Sequence, residues 1–195
     1  MSKSDPASHK KERNKAIRWV VTIFFVTIFI SGAISLASDI IMENSSMAVA
    51  FLILLVIILI GIIFDIIGMA VATADEKPFH AMAARKVPGA KEAISLLRNA
   101  ERVSSICNDV VGDICGVVSG AASATIAAQI LSNFTFTWPQ IISLLMSALA
   151  AGLTVGGKAI GKSFAVNSCI PIVHGVGRVI HAFHGMFAGR KKKKK

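Results

Sequence analysis

Residues 47–73 read MAVAFLILLVIILIGIIFDIIGMAVAT, and the rest of the chain is arranged around them. The run is too long and too apolar for a soluble core helix. Crossing the hydrocarbon of a bilayer takes roughly 20 mostly apolar residues at 1.5 Å rise. One charge, Asp65, lies well inside the run. An ionisable group at that depth costs roughly 2.5–3.5 kcal/mol to insert, so it must face protein or water rather than lipid. What Asp65 faces is therefore the first functional question.

The whole chain has the same character. It is 54% hydrophobic over 195 residues, with a mean hydropathy of +0.67. That composition belongs to a polytopic membrane protein. The net charge of +10 is not read as a nucleic-acid surface, because all 21 Lys and Arg fall within residues 3–18, 77–102 and 158–195. Two intervening connections, about 38–47 and 132–138, carry none. This is the positive-inside pattern, and it predicts a cell-membrane protein with both termini cytoplasmic.

Toward the N-terminus, residues 16–37 predict a first span, with Arg18 and Trp19 at its inner end. Residues 1–15 read as a disordered basic tail. Toward the C-terminus, residues 75–102 are too polar to cross. Phe79, Met82 and Ala83 share one helical face, as do Ala93, Ile94 and Leu97, and Pro88-Gly89 divides the stretch. Two short amphipathic helices at the cytoplasmic interface are expected.

Residues 103–131 predict a third span, rich in small residues. Gly112, Gly116 and Gly120 form two GxxxG steps, a face suited to packing within the bundle or to a homodimer. A tight outer turn leads to a fourth span over 139–157. Residues 163–189 form an amphipathic segment with His174, Arg178 and His181 on one stripe. Residues 190–195 are polybasic, and Lys191, Lys192, Lys193, Lys194 and Lys195 are expected to contact anionic headgroups of the lipid bilayer. The fold class is thus an all-α integral membrane protein. It has a four-span domain over 16–162, an interfacial helix pair after the second span and a C-terminal amphipathic segment.

Three stretches carry a family resemblance. They are FDIIGMAVAT at 64–73, AARKVPGAKEAISLLRNAERVSS at 83–105 and GKAIGKSFA at 157–165. In their order along the chain they resemble the transmembrane domain of the CNNM/CorC family of magnesium transport proteins, over about residues 48–187. The resemblance implies a role in divalent cation transport, with Mg2+ as the ion. The first span is an addition to the family's layout. Lys158 stands where the family has a glutamate ligand, and Gly161 where it has a proline.

The candidate site residues are Asp65, Asn108, Asp109, Asp113 and Lys158. Counting inward from the cytoplasmic helix ends, Asp65 and Asp113 lie roughly 15 Å deep, Asp109 about 10 Å and Lys158 about 6 Å. A lysine stem extends its reach. Asp109 and Asp113 stand at i, i+4 and so share a helix face. Two arrangements fit. In one, Asp65 and Asp113, with Asn108 and Asp109, bind a hard cation through oxygen. In the other, Lys158 pairs with Asp65 or Asp113 in place of the ion.

Other features are read more simply. Cys107, Cys115 and Cys169 lack zinc spacing and read as reduced apolar residues. His181 and His184 stand at i, i+3, a spacing that serves a metal or, on an interfacial helix, headgroups. Asn44-Ser45-Ser46 and Asn133-Phe134-Thr135 have the glycosylation pattern. No nucleophile–base pair or phosphate-binding glycine loop is present, so an enzyme is not expected. The contrasting function is a non-transporting interaction or holin-like accessory protein.

Overall fold

A computed structural model describes residues 6–43, 45–134 and 137–192, with 6–16, 43 and 185–192 described by backbone alone. It is 91% helical, and no strand occurs among the described residues. Four helices are long and apolar enough to cross a membrane. These are α1 (Pro6–Glu43), α2 (Met47–Thr73), the continuous stretch Ala100–Asn133 and α7 (Pro139–Asn167). Between the second and third lie α3 (Lys77–Ala84) and α4 (Ala90–Arg98), and after the fourth comes α8 (Cys169–Lys192). The third stretch is compound: α5 (Ala100–Ser105), a π-helical segment (Ile106–Gly112) and α6 (Asp113–Asn133).

The central helix is α2. Its buried positions Ala50, Leu54, Ile58, Gly61, Asp65 and Gly68 recur every three or four residues, so they form one stripe. That stripe meets α6 and α7. Toward the N-terminal end of α2, Leu54 and Ile58 pack with Ala122, Ile126 and Met146. Toward its C-terminal end, Ala70 and Val71 pack with Phe79, Leu97, Ala165 and Val173. Asp65 sits on the stripe between these two apolar cores.

Several boundaries differ from expectation. Residues 6–15 are helical, because Pro6 suits a first turn and the Ala, Lys and Glu that follow are good helix formers. Residues 1–5 lie outside the described residues. The first span runs to Met42 rather than residue 37. Its end is held by the Gln129 Nε2 amide, which donates to the Met42 carbonyl at 2.8 Å. The fourth span continues ten residues past Gly157, to Asn167. Gly157 and Gly161 do not interrupt it; they are contact points, where a side chain would meet Ile62 and Ile66 of α2.

The helix pair α3–α4 turns at Arg85–Gly89, where Lys86 (φ 56°) and Gly89 (φ 85°) both adopt left-handed backbone. Gly89 supplies that conformation without penalty, and Lys86 holds it as a non-glycine residue. The pair does not merely lie flat. Helix α8 docks along α4, with the Gly177 backbone against the Gly89 carbonyl and Ala93. Ser168 separates α8 from α7, and Pro171 falls in the first turn of α8, where its missing N–H is harmless.

Candidate functional site: a charge cluster around Gly112

The site forms where α2, the π-helical segment and α7 converge. Asp65 is 3% exposed. Its Oδ2 lies 3.9 Å from Lys162 Nζ, a charge contact longer than a hydrogen bond. Lys158 Nζ donates to the Gly112 carbonyl at 3.2 Å and stands 3.7 Å from Asp113 Oδ1. Gly112 joins the two pairs. A methyl group on it would lie 3.3 Å from Lys158 Nζ and 3.6 Å from Asp65 Oδ1. Asp65, Asp113, Lys158 and Lys162 are therefore one cluster of two carboxylates and two ammonium groups, formally neutral.

Lys158 takes Asp113, one of the two partners expected for it, and the nearest cation to the buried Asp65 is Lys162, which lies past the expected end of the fourth span and is not among the candidate residues. The available signal was spacing, since Lys158 and Lys162 are four apart on one helix face. Asp109 also departs from expectation. It is exposed and accepts a hydrogen bond from Ser105 Oγ at 2.8 Å, away from the cluster. Asp109 lies within the π-helical segment and Asp113 just past its end, and the two carboxylates take different partners, Ser105 and Lys158. Such segments occur often at functional sites.

Asn108, on the π-helical segment, meets the same stripe of α2 at Gly68, about one turn past Asp65. Its Nδ2 donates to Ser104 Oγ at 3.2 Å. Its amide fills the space left by Gly68, where a side chain would collide with it. Asn108 Oδ1 and Asp65 Oδ2 are the buried side-chain oxygens without a hydrogen-bond partner among the described residues. Buried acceptors without donors cost free energy and point to a missing partner. The oxygens gathered here, two carboxylates, an amide and the Gly112 carbonyl, are hard-cation ligands by type. Among the described residues no three His, Cys, Asp or Glu gather closely enough to hold a metal unaided.

The other sequence candidates lie elsewhere. His181 Nδ1 is 2.8 Å from Glu92 Oε1 on α4, so it is engaged with a carboxylate rather than paired with His184. His181 holds the Glu92 carboxyl below its ordinary value by that hydrogen bond, against the opposing effect of burial. Gly116 and Gly120 face open space. All three cysteines are free. Asn133 Nδ2 donates to Gln129 O at 2.8 Å, while Asn44 and Thr135 lie outside the described residues. Lys191 and Lys192 end α8, and Lys193, Lys194 and Lys195 lie outside the described residues. Compared with known proteins, the chain matches no family model, no curated protein and no solved structure.

Proposed function

We propose that this chain is a membrane domain of the CNNM/CorC type, related to divalent cation transport, in which lysines of α7 hold the place of the ion. It is placed in the cell membrane with both termini cytoplasmic, on the distribution of its basic residues. The observation that carries the reading is the position of Lys158 Nζ, on the Gly112 carbonyl and beside Asp113. An ammonium there does for these oxygens what a bound cation would do. Lys162 does the same, more loosely, for Asp65. With both amines in place the cluster is neutral, and a divalent ion gains little by entering. Asp65 Oδ2 and Asn108 Oδ1, which accept no hydrogen bond among the described residues, mark where ligands remain if the lysines withdraw.

The completed charge balance also favours a second reading, a membrane protein that no longer moves ions and works through its partners. Calorimetry with Mg2+ on the purified protein in detergent separates the two. Under the first reading, wild type gives no saturable heat and Lys158→Glu gains binding. Absence of binding in both favours the non-transporting role. Saturable binding in wild type that is lost in Asp65→Asn would overturn the lysine-held site and establish a working one.

A further inference from the structure

Helix α1 is set apart from the rest of the bundle. It packs on α6, with Ile23 against Val110, Ile114 and Val118, and scarcely meets α2. The separation leaves a cleft of about 210 Å³ between α1, α2 and α6. Its walls are apolar and include Ile30 and Ile34 of α1, Ile57 and Ile60 of α2, and Ile114 and Val118 of α6. Ile30, Ile34 and Ile60 are each about 40% exposed, at 39%, 43% and 41%, so the cleft opens sideways toward the bilayer. A helix is about 10–12 Å across and does not fit such a space. An aliphatic cavity of about 150 Å³ suffices for one benzene-sized molecule, so this cleft suits a slender hydrocarbon.

The inner mouth of the same helix junction is cationic. Trp19 shares a face of α1 with Ile30 and Ile34, because 11 and 15 residues at about 100° each bring them back within about 60°. Arg102 of α5 lies over the Trp19 ring at 5.6 Å, and Arg18 is its neighbour. Neither arginine has an acidic partner among the described residues. From Arg102 to Ile114 is roughly 18 Å along the helix, close to the half-thickness of about 15 Å of a bilayer core. Cations at headgroup level and an apolar slot one acyl chain away match the two ends of a single lipid.

We propose that the α1–α2–α6 cleft binds one anionic phospholipid, its phosphate on Arg18 and Arg102 and one acyl chain between Ile34 and Ile57. Basic pockets between membrane helices on the cytoplasmic side select anionic headgroups. The lipid serves as mortar for α1, which has few contacts of its own on that side.

The chain has two tryptophans, Trp19 and Trp138, so Trp138→Phe leaves Trp19 as sole reporter. That variant is reconstituted in phosphatidylcholine vesicles carrying a minor fraction of chain-brominated phosphatidylglycerol or, in parallel, the same fraction of brominated phosphatidylcholine. The proposal expects Trp19 to be quenched at least twofold more by the anionic lipid. Adding Arg18→Gln and Arg102→Gln removes the difference. Adding Ile34→Phe instead, which fills the cleft, lowers quenching by the anionic lipid. Equal quenching by the two lipids overturns the proposal without any cleft variant. So does a preference that survives the double arginine substitution, or quenching indifferent to Ile34→Phe.

Discussion

Lys162 Nζ and Asp65 Oδ2 stand 3.9 Å apart, with the lysine side chain 50% exposed and the aspartate 4%. The pair is therefore lopsided: one partner reaches solvent or headgroups and the other cannot. Removing either side chain breaks the same contact but leaves a different residue behind. A stranded lysine can run its stem to the interface, whereas a stranded carboxylate stays where it is.

Lys162→Met is thus expected to destabilise more than Asp65→Asn. Leaving a buried polar group unpaired costs about 1–3 kcal/mol, and more when it is charged. We expect at least that for Lys162→Met and less than about 1 kcal/mol for Asp65→Asn, since Lys162 snorkels. The double variant returns toward wild type. Thermal unfolding in detergent checks the order, and equal losses would remove the asymmetry from the account.

A second expectation concerns Gly68. A side chain there meets the Asn108 amide, which is held by Ser104. Gly68→Ala therefore forces the π-helical segment away from α2, at about 1–3 kcal/mol, the usual cost of overpacking. Asn108→Ala in the same chain makes room and restores most of the loss. Failure of this rescue would place the strain elsewhere than on Asn108.

Asp109→Asn is expected to be nearly silent, within about 0.5 kcal/mol, as surface substitutions usually are. Asp109 is exposed and bonded to Ser105, outside the cluster. It should also leave unchanged any Mg2+ binding gained in Lys158→Glu. A loss of that binding in the double variant would bring Asp109 back into the site.

The contact between α4 and α8 responds to acid through Glu92. His181 lowers its carboxyl pKa from the ordinary 4.5. A carboxylate whose value is depressed on folding contributes stability that is present above the unfolded value and lost as pH falls through the folded one. The opening equilibrium of α8, read from backbone hydrogen exchange after its intrinsic pH dependence is divided out, should therefore be flat down to about pH 5 and rise below the ordinary carboxyl value of 4.5. In His181→Gln the acid-induced rise is smaller, because the depression is gone. His184, which adds a weaker charge effect, remains in both chains. An identical pH profile in the two proteins would sever Glu92 from His181.

Much of this architecture is legible in the sequence, for reasons that also explain what is not. Four apolar runs and a broken amphipathic pair follow from hydropathy and periodicity, and Asp65, Asp113 and Lys158 stand out as charges at depth. Lys162 is hidden because Gly156, Gly157 and Gly161 read as the end of a span, yet at Gly157 and Gly161 the absent side chain is what lets Ile62 and Ile66 close on α7. The π-helical segment leaves no mark in composition, since ICNDVVG suits an α-helix as well. The contact of α8 with α4 rests on the meeting of Gly89 and Gly177, 88 positions apart, which no local pattern announces.

The joint at Ser168 has a mechanical consequence. Helix α7 carries both ammonium groups, begins at Pro139, and reaches the joint six residues after Lys162. Beyond the joint, α8 is clamped to α4 by Gly177, His174 and His181. Between these ends Ile62 and Ile66 seat on Gly157 and Gly161. Lys158 and Lys162 thus stand on one rigid element, so a single displacement of α7 would move both amines relative to the acids.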